Sequence, residues 1–129
     1  MGCGVRTEFK HPQIFADVLT LCQLYMPMMQ NFPKPFRMSV GQQILDELAD
    51  CVRAIVLANA VDKATAQGRS EGAQHVRQLR ASVEVVRAFL LLAWRLKYLS
   101  HAALADLSAR LEAIARQATR WGQWFGRER

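Results

Sequence analysis

Apolar residues recur along this chain with the period of a helix, in four blocks separated by proline, glycine and short polar runs. In the first block Ile14, Phe15, Val18, Leu21, Cys22 and Tyr25 share one face at spacings of three and four. Pro12 opens it in a first turn, where the missing N–H costs nothing. Pro27 kinks or ends it, and Pro33 and Pro35 stop it. The second block predicts a helix starting at Ser39, with Gln42 completing a capping box. Ile44, Leu48, Cys51, Ile55 and Ala58 form its buried face, while Asp46, Glu47 and Asp50 complement the helix dipole in its early turns.

The stretch from Asp62 to Gly72 reads as a frayed helix end, a loop and a restart capped by Ser70. A third helix is expected from about Glu71 to Tyr98, with Val76, Leu79, Val83, Val86, Leu90 and Ala93 in an unbroken heptad series. Ser100 caps a fourth, in which Leu104, Leu107, Leu111, Ile114, Ala118, Trp121 and Phe125 form another such series. On that helix the pairs Asp106–Arg110 and Glu112–Arg116 are acid-then-base at i,i+4, each worth roughly 0.2–0.5 kcal/mol. No segment alternates with a strand's period of two. The pattern predicts an all-α protein, an antiparallel up-down-up-down four-helix bundle. At 129 residues it forms one domain, 1–129, with 1–11 as an N-terminal extension and 122–129 as a basic C-terminal tail.

The third helix carries more than one face. At roughly 100° per residue, Val85, Phe89, Leu92 and Leu96 form a second apolar stripe, rotated from the heptad series by roughly 130°. Either this helix packs on two neighbours at once, or these four residues are an oligomer interface. An exposed stripe is a liability on a monomer, which favours the interface. Arg69, Arg77, Arg80, Arg87 and Arg95 fall within a third stripe of roughly 80°. Arg116 and Arg120, one turn apart on the fourth helix, extend it if the two helices are neighbours.

Charge sharpens this. The net charge is +6, and all of the excess lies beyond Ala66. From Met1 to Ala66 acids and bases cancel; from Gln67 onward every base but Lys97 is arginine. Guanidinium forks match phosphate oxygens in geometry as well as charge, so the stripe implies an anionic partner. It has no helix-turn-helix, zinc-finger or RNA-recognition signature, so contact with RNA or DNA is expected without strong sequence specificity. An acidic protein surface is the alternative target.

Other chemistry is excluded in turn. His11, His75 and His101 are widely separated and have no metal-ligand spacing, and no P-loop, dinucleotide fingerprint or nucleophile elbow occurs. The chain is therefore read as a non-enzyme with no cofactor and no metal. The three cysteines form no CxxC pair, FLLLAW is too short to cross a bilayer, and a cytoplasmic, non-membrane protein is expected. At the C-terminal end Trp121 and Phe125 continue the heptad. Trp124 lies off it beside Arg127 and Arg129, where it offers a ring for stacking or docking.

FPKPFRMSVGQQILDEL (Phe32 to Leu48), LRASVEVVRAFLLLAWRLKYLS (Leu79 to Ser100) and LEAIARQATRW (Leu111 to Trp121) resemble the small four-helix proteins related to the ribosomal-RNA intervening-sequence protein. Within that group the chain is most similar to the accessory variability determinants of diversity-generating retroelements, the bacteriophage-borne ones in particular. The resemblance spans almost the whole chain and implies a ring-like pentamer of bundles in a bacterial host cell. It also implies binding to the element's reverse transcriptase and to nucleic acid, and a requirement in mutagenic retrohoming. It transfers no fixed functional residues, so the binding expectation rests on Arg69, Arg77, Arg80, Arg87, Arg95, Arg116 and Arg120.

Overall fold

The computed structural model of the chain describes residues 12–127, which form four helices and, among these residues, no strand. The expected N-terminal extension, 1–11, lies outside the described residues, as do Glu128 and Arg129. The first helix spans Pro12–Met29 and the third Ala66–Arg95. The fourth, His101–Arg127, carries helical structure through residues 122–127 of the expected tail. The second is composite: a turn at Lys34–Phe36, a π-helical stretch at Arg37–Gly41, and a regular helix at Gln42–Ala60.

The periodic positions are the core. Ile14, Val18, Leu21 and Tyr25 of the first helix are buried, with Phe15 and Cys22 only half-buried beside them; Ile44, Leu48, Cys51, Ile55 and Ala58 of the second are buried. The heptad series of the third helix is buried throughout, and that of the fourth is buried except for half-buried Leu104. The third helix packs most extensively on the second and fourth, and the first packs on the same two. Polar ties reinforce this: Gln117 Nε2 of the fourth helix donates to Asp17 Oδ2 of the first at 2.8 Å. Tyr25 Oη donates to the Gly41 carbonyl at 2.7 Å. The wide π turn disturbs the regular i→i−4 ladder there, and the buried phenol gives a carbonyl at its end a partner.

The ends differ from the pattern's forecast. The second helix starts at Lys34, not Ser39. Pro35 occupies its first turn, where proline is tolerated, and the Ser39 hydroxyl donates back to the Pro35 carbonyl at 2.6 Å rather than capping an N-terminus. The third helix starts at Ala66, not Glu71, because Thr65 Oγ1 caps it by accepting from Gly68 N at 2.9 Å. Gly68 makes this start possible: a Cβ there would stand 1.8 Å from the Asp62 carbonyl oxygen. At its other end the helix stops at Arg95, closed by Tyr98 N to Ala93 O and Lys97 N to Trp94 O, both at 2.9 Å. That is a Schellman closure, with Lys97 at φ 68° where glycine is the usual occupant. Ser100 caps the fourth helix as expected, accepting from Ala103 N at 3.0 Å.

Candidate nucleic-acid interface

The third and fourth helices run side by side, and the arginines line the seam between them. Arg77, Arg80 and Glu84 of the third helix line a groove of about 340 Å³ together with Ala81, Ala115 and Thr119. A second groove, about 310 Å³, shares Ala115 and Thr119 and is lined further by Glu112, Arg116 and Arg120 of the fourth helix. All four arginines are exposed, and none makes an ion pair among the described residues. Arg77 Nη2 donates only to the neutral Gln74 side chain, at 2.8 Å. The lining that the two grooves share is of small residues because the helices pack closely here. The four exposed guanidinium groups thus share these grooves with two carboxylates, Glu84 and Glu112, both of which lie near Arg87.

The other sequence-predicted arginines divide differently. Arg69 is half-buried and turned back on the preceding loop, its Nη1 donating to the Lys63 carbonyl at 3.1 Å, so it holds the helix start rather than the basic face. Arg87 is also half-buried. Its Nη1 donates to Glu112 Oε1 at 2.8 Å, and its Nε lies 3.5 Å from Glu84 Oε1. The expected Glu112–Arg116 pair is thus replaced by a bridge between helices, whereas Asp106–Arg110 forms at 3.2 Å. Arg87 hydrogen bonding, then its charge, hold the Glu112 carboxyl below its ordinary pKa, and Arg116 lowers it further. Arg95 is exposed near the far end of the third helix, about 22 Å along it from Arg80.

Sequence reasoning left Arg127 out of the basic face. It is exposed and seven residues after Arg120, which returns it to nearly the same side of the helix. The heptad spacing was the available signal, and reading 122–129 as a tail concealed it.

The second apolar stripe is uneven. Phe89 is half-buried against the core and Val85 is half-buried, whereas Leu92 and Leu96 are 37% and 45% exposed. Leu91 and Trp94, at 46% and 37%, add apolar surface at the same end of the helix.

No family model, curated protein or solved structure matches this chain. Its chemistry must be read from its own surface. Among the described residues no three His, Cys, Asp or Glu side chains gather as a metal site would require. No helix among them is long and apolar enough to cross a membrane.

Proposed function

We propose that this chain is a non-enzymatic accessory protein of a diversity-generating retroelement, binding nucleic acid and the element's reverse transcriptase through its basic face. The observation that carries the binding reading is the pair of adjoining grooves lined by Arg77, Arg80, Arg116 and Arg120, four exposed guanidinium groups of which none makes an ion pair among the described residues, although Glu84 and Glu112 line the same grooves. Neutralised phosphates release counterions, so affinity depends steeply on salt and little on sequence. The retroelement, its polymerase and the role in retrohoming rest on the motif resemblance. The up-down-up-down order draws support from three pairings of the third and fourth helices. Gly72 lies against Phe125, Val76 against Gly122 and Arg87 against Glu112, so one number rises as the other falls. Assembly as a pentameric ring draws on Leu92 and Leu96, apolar and open to solvent.

The test is charge reversal at Arg80 and Arg116 with fluorescence anisotropy on labelled RNA and DNA. The double variant is expected to lose at least tenfold in affinity at low salt and to keep wild-type helicity by circular dichroism. Unchanged binding would remove the grooves as the site. The rival reading, docking of acidic protein alone, is favoured by Glu84 and Glu112, which interrupt the basic face as they would in a charge-patterned protein contact. Wild-type protein that binds no nucleic acid even at low salt, yet still binds the polymerase, would establish it.

A further inference from the structure

The seam between the third and fourth helices continues past the arginine-lined grooves and ends in an aromatic. Arg80, Arg87 and Trp94 stand at heptad spacing, so they lie nearly in line along one edge of the third helix, with Trp94 about 21 Å from Arg80. Trp94 is 37% exposed, although the other large aromatics on that helix and its neighbours are buried or half-buried. Its ring lies 6.2 Å from the imidazole of His101, tilted by 57°, so the two make an open corner rather than a closed stack. Exposed Arg95 is next to Trp94 in the chain, and exposed Lys97 follows in the left-handed conformation that closes the helix.

A lysine at a left-handed closing position is disfavoured relative to glycine, because its Cβ crowds the backbone. Here that position puts an exposed cation on the turn that closes the helix, three residues after the exposed indole in the chain. An exposed indole flanked by cations, at the end of a basic track, is the combination that holds single strands: cations follow the phosphates and a ring face takes an unpaired base. A base inside a duplex is already stacked on both faces and cannot use such a platform.

We infer that Trp94, with His101 beside it, is a stacking platform for an unpaired base, and that the seam binds single-stranded nucleic acid in preference to duplex. The inference rests on the basic-face reading above. The track from Arg80 to Trp94 spans about six nucleotides at the ~3.4 Å spacing of one strand in a duplex, and fewer when the strand is extended. Arg87, midway along it, is held by Glu84 and Glu112, so the positive charge concentrates at the two ends. Trp94 and Leu92 are two residues apart, hence about 160° apart around the helix, so the platform does not compete with the proposed ring contact.

The experiment compares wild type, Trp94→Ala and Trp94→Phe for binding to a twelve-nucleotide oligothymidylate and to a twelve-base-pair duplex at the same salt. Oligomer mass is measured for each protein by light scattering. Trp94→Ala is expected to bind the single strand roughly tenfold more weakly and the duplex within twofold of wild type; Trp94→Phe keeps most of the single-strand affinity. Indole fluorescence of the wild type should quench on adding oligothymidylate, and this quench should be absent in Trp94→Phe. Wild-type single-strand binding that Trp94→Ala leaves unchanged would overturn the platform while leaving the basic face standing. Equal losses on both substrates, or a fall in oligomer mass, would make Trp94 a structural or subunit contact instead. Wild-type protein that binds neither substrate would overturn the basic-face reading and the platform together.

Discussion

Glu112 shows how a single residue tunes the basic face. Its carboxylate accepts from Arg87 across the helix seam and so offsets a charge that the proposed phosphate contact would otherwise use. Glu112→Gln is expected to strengthen binding to single-stranded nucleic acid at low salt. It should also steepen the plot of log K against log salt by about 0.7, the increment for one more phosphate neutralised. An unchanged slope would mean that Arg87 stays committed elsewhere. The pH dependence has a definite sign. The Glu112 pKa is lowered in the folded state, so the pair stabilises the fold at neutral pH and that contribution disappears as pH falls through the lowered value. Melting curves of Glu112→Gln and wild type should therefore converge in acid and separate toward neutrality. Cys51 makes a second residue-scale prediction. Burial pushes its thiol up to about 12, and the nearby Cys22, Glu47 and Asp50 act in the same direction. Alkylation of Cys51 at neutral pH should thus be far slower in the native protein than in denaturant, and half-exposed Cys22 should react before it.

At the level of elements, the interest lies in how the third helix begins and ends. Gly72 lets the fourth helix come close, since a Cβ there would stand 2.3 Å from the Phe125 ring. Gly72→Ala should cost about 1–3 kcal/mol, measured by denaturant midpoint, because the ring must leave its place in the core. Lys97→Gly should act in the opposite sense, stabilising by about 1 kcal/mol by relieving the left-handed conformation. The helix faces were legible from three-and-four spacing, because burial on one side repeats at the helical period. The starts of the second and third helices were not, although Pro12 and Ser100 did mark those of the first and fourth. Ser39 and Ser70 look like caps, but the true starts depend on Pro35 fitting a first turn and on Gly68 lying against the Asp62 carbonyl. The second of these is a contact across a loop, and local sequence does not contain it.

For the whole molecule, the open question is what covers Leu92 and Leu96. If they close a ring, light scattering at micromolar concentration will give a multiple of the 14.6 kDa chain mass, and Leu92→Glu with Leu96→Glu will reduce it to one chain with its helicity retained. A wild-type monomer would sink the interface. The sequence by itself determined the all-helical class, most of the core within the helices and the excess of arginine on the second half of the chain. These follow from periodicity and composition, which are local; the buried Phe32, Phe36 and Leu99 lay outside the periodic series. Only the tertiary structure decided which arginines are free. Arg69 is tied to the Lys63 carbonyl and Arg87 to Glu112, whereas Arg77, Arg80, Arg116 and Arg120 are exposed along two adjoining grooves without an ion pair among the described residues. A helical wheel ranks directions around one axis. Whether a charge stays available to a partner depends on what the neighbouring helix places opposite it.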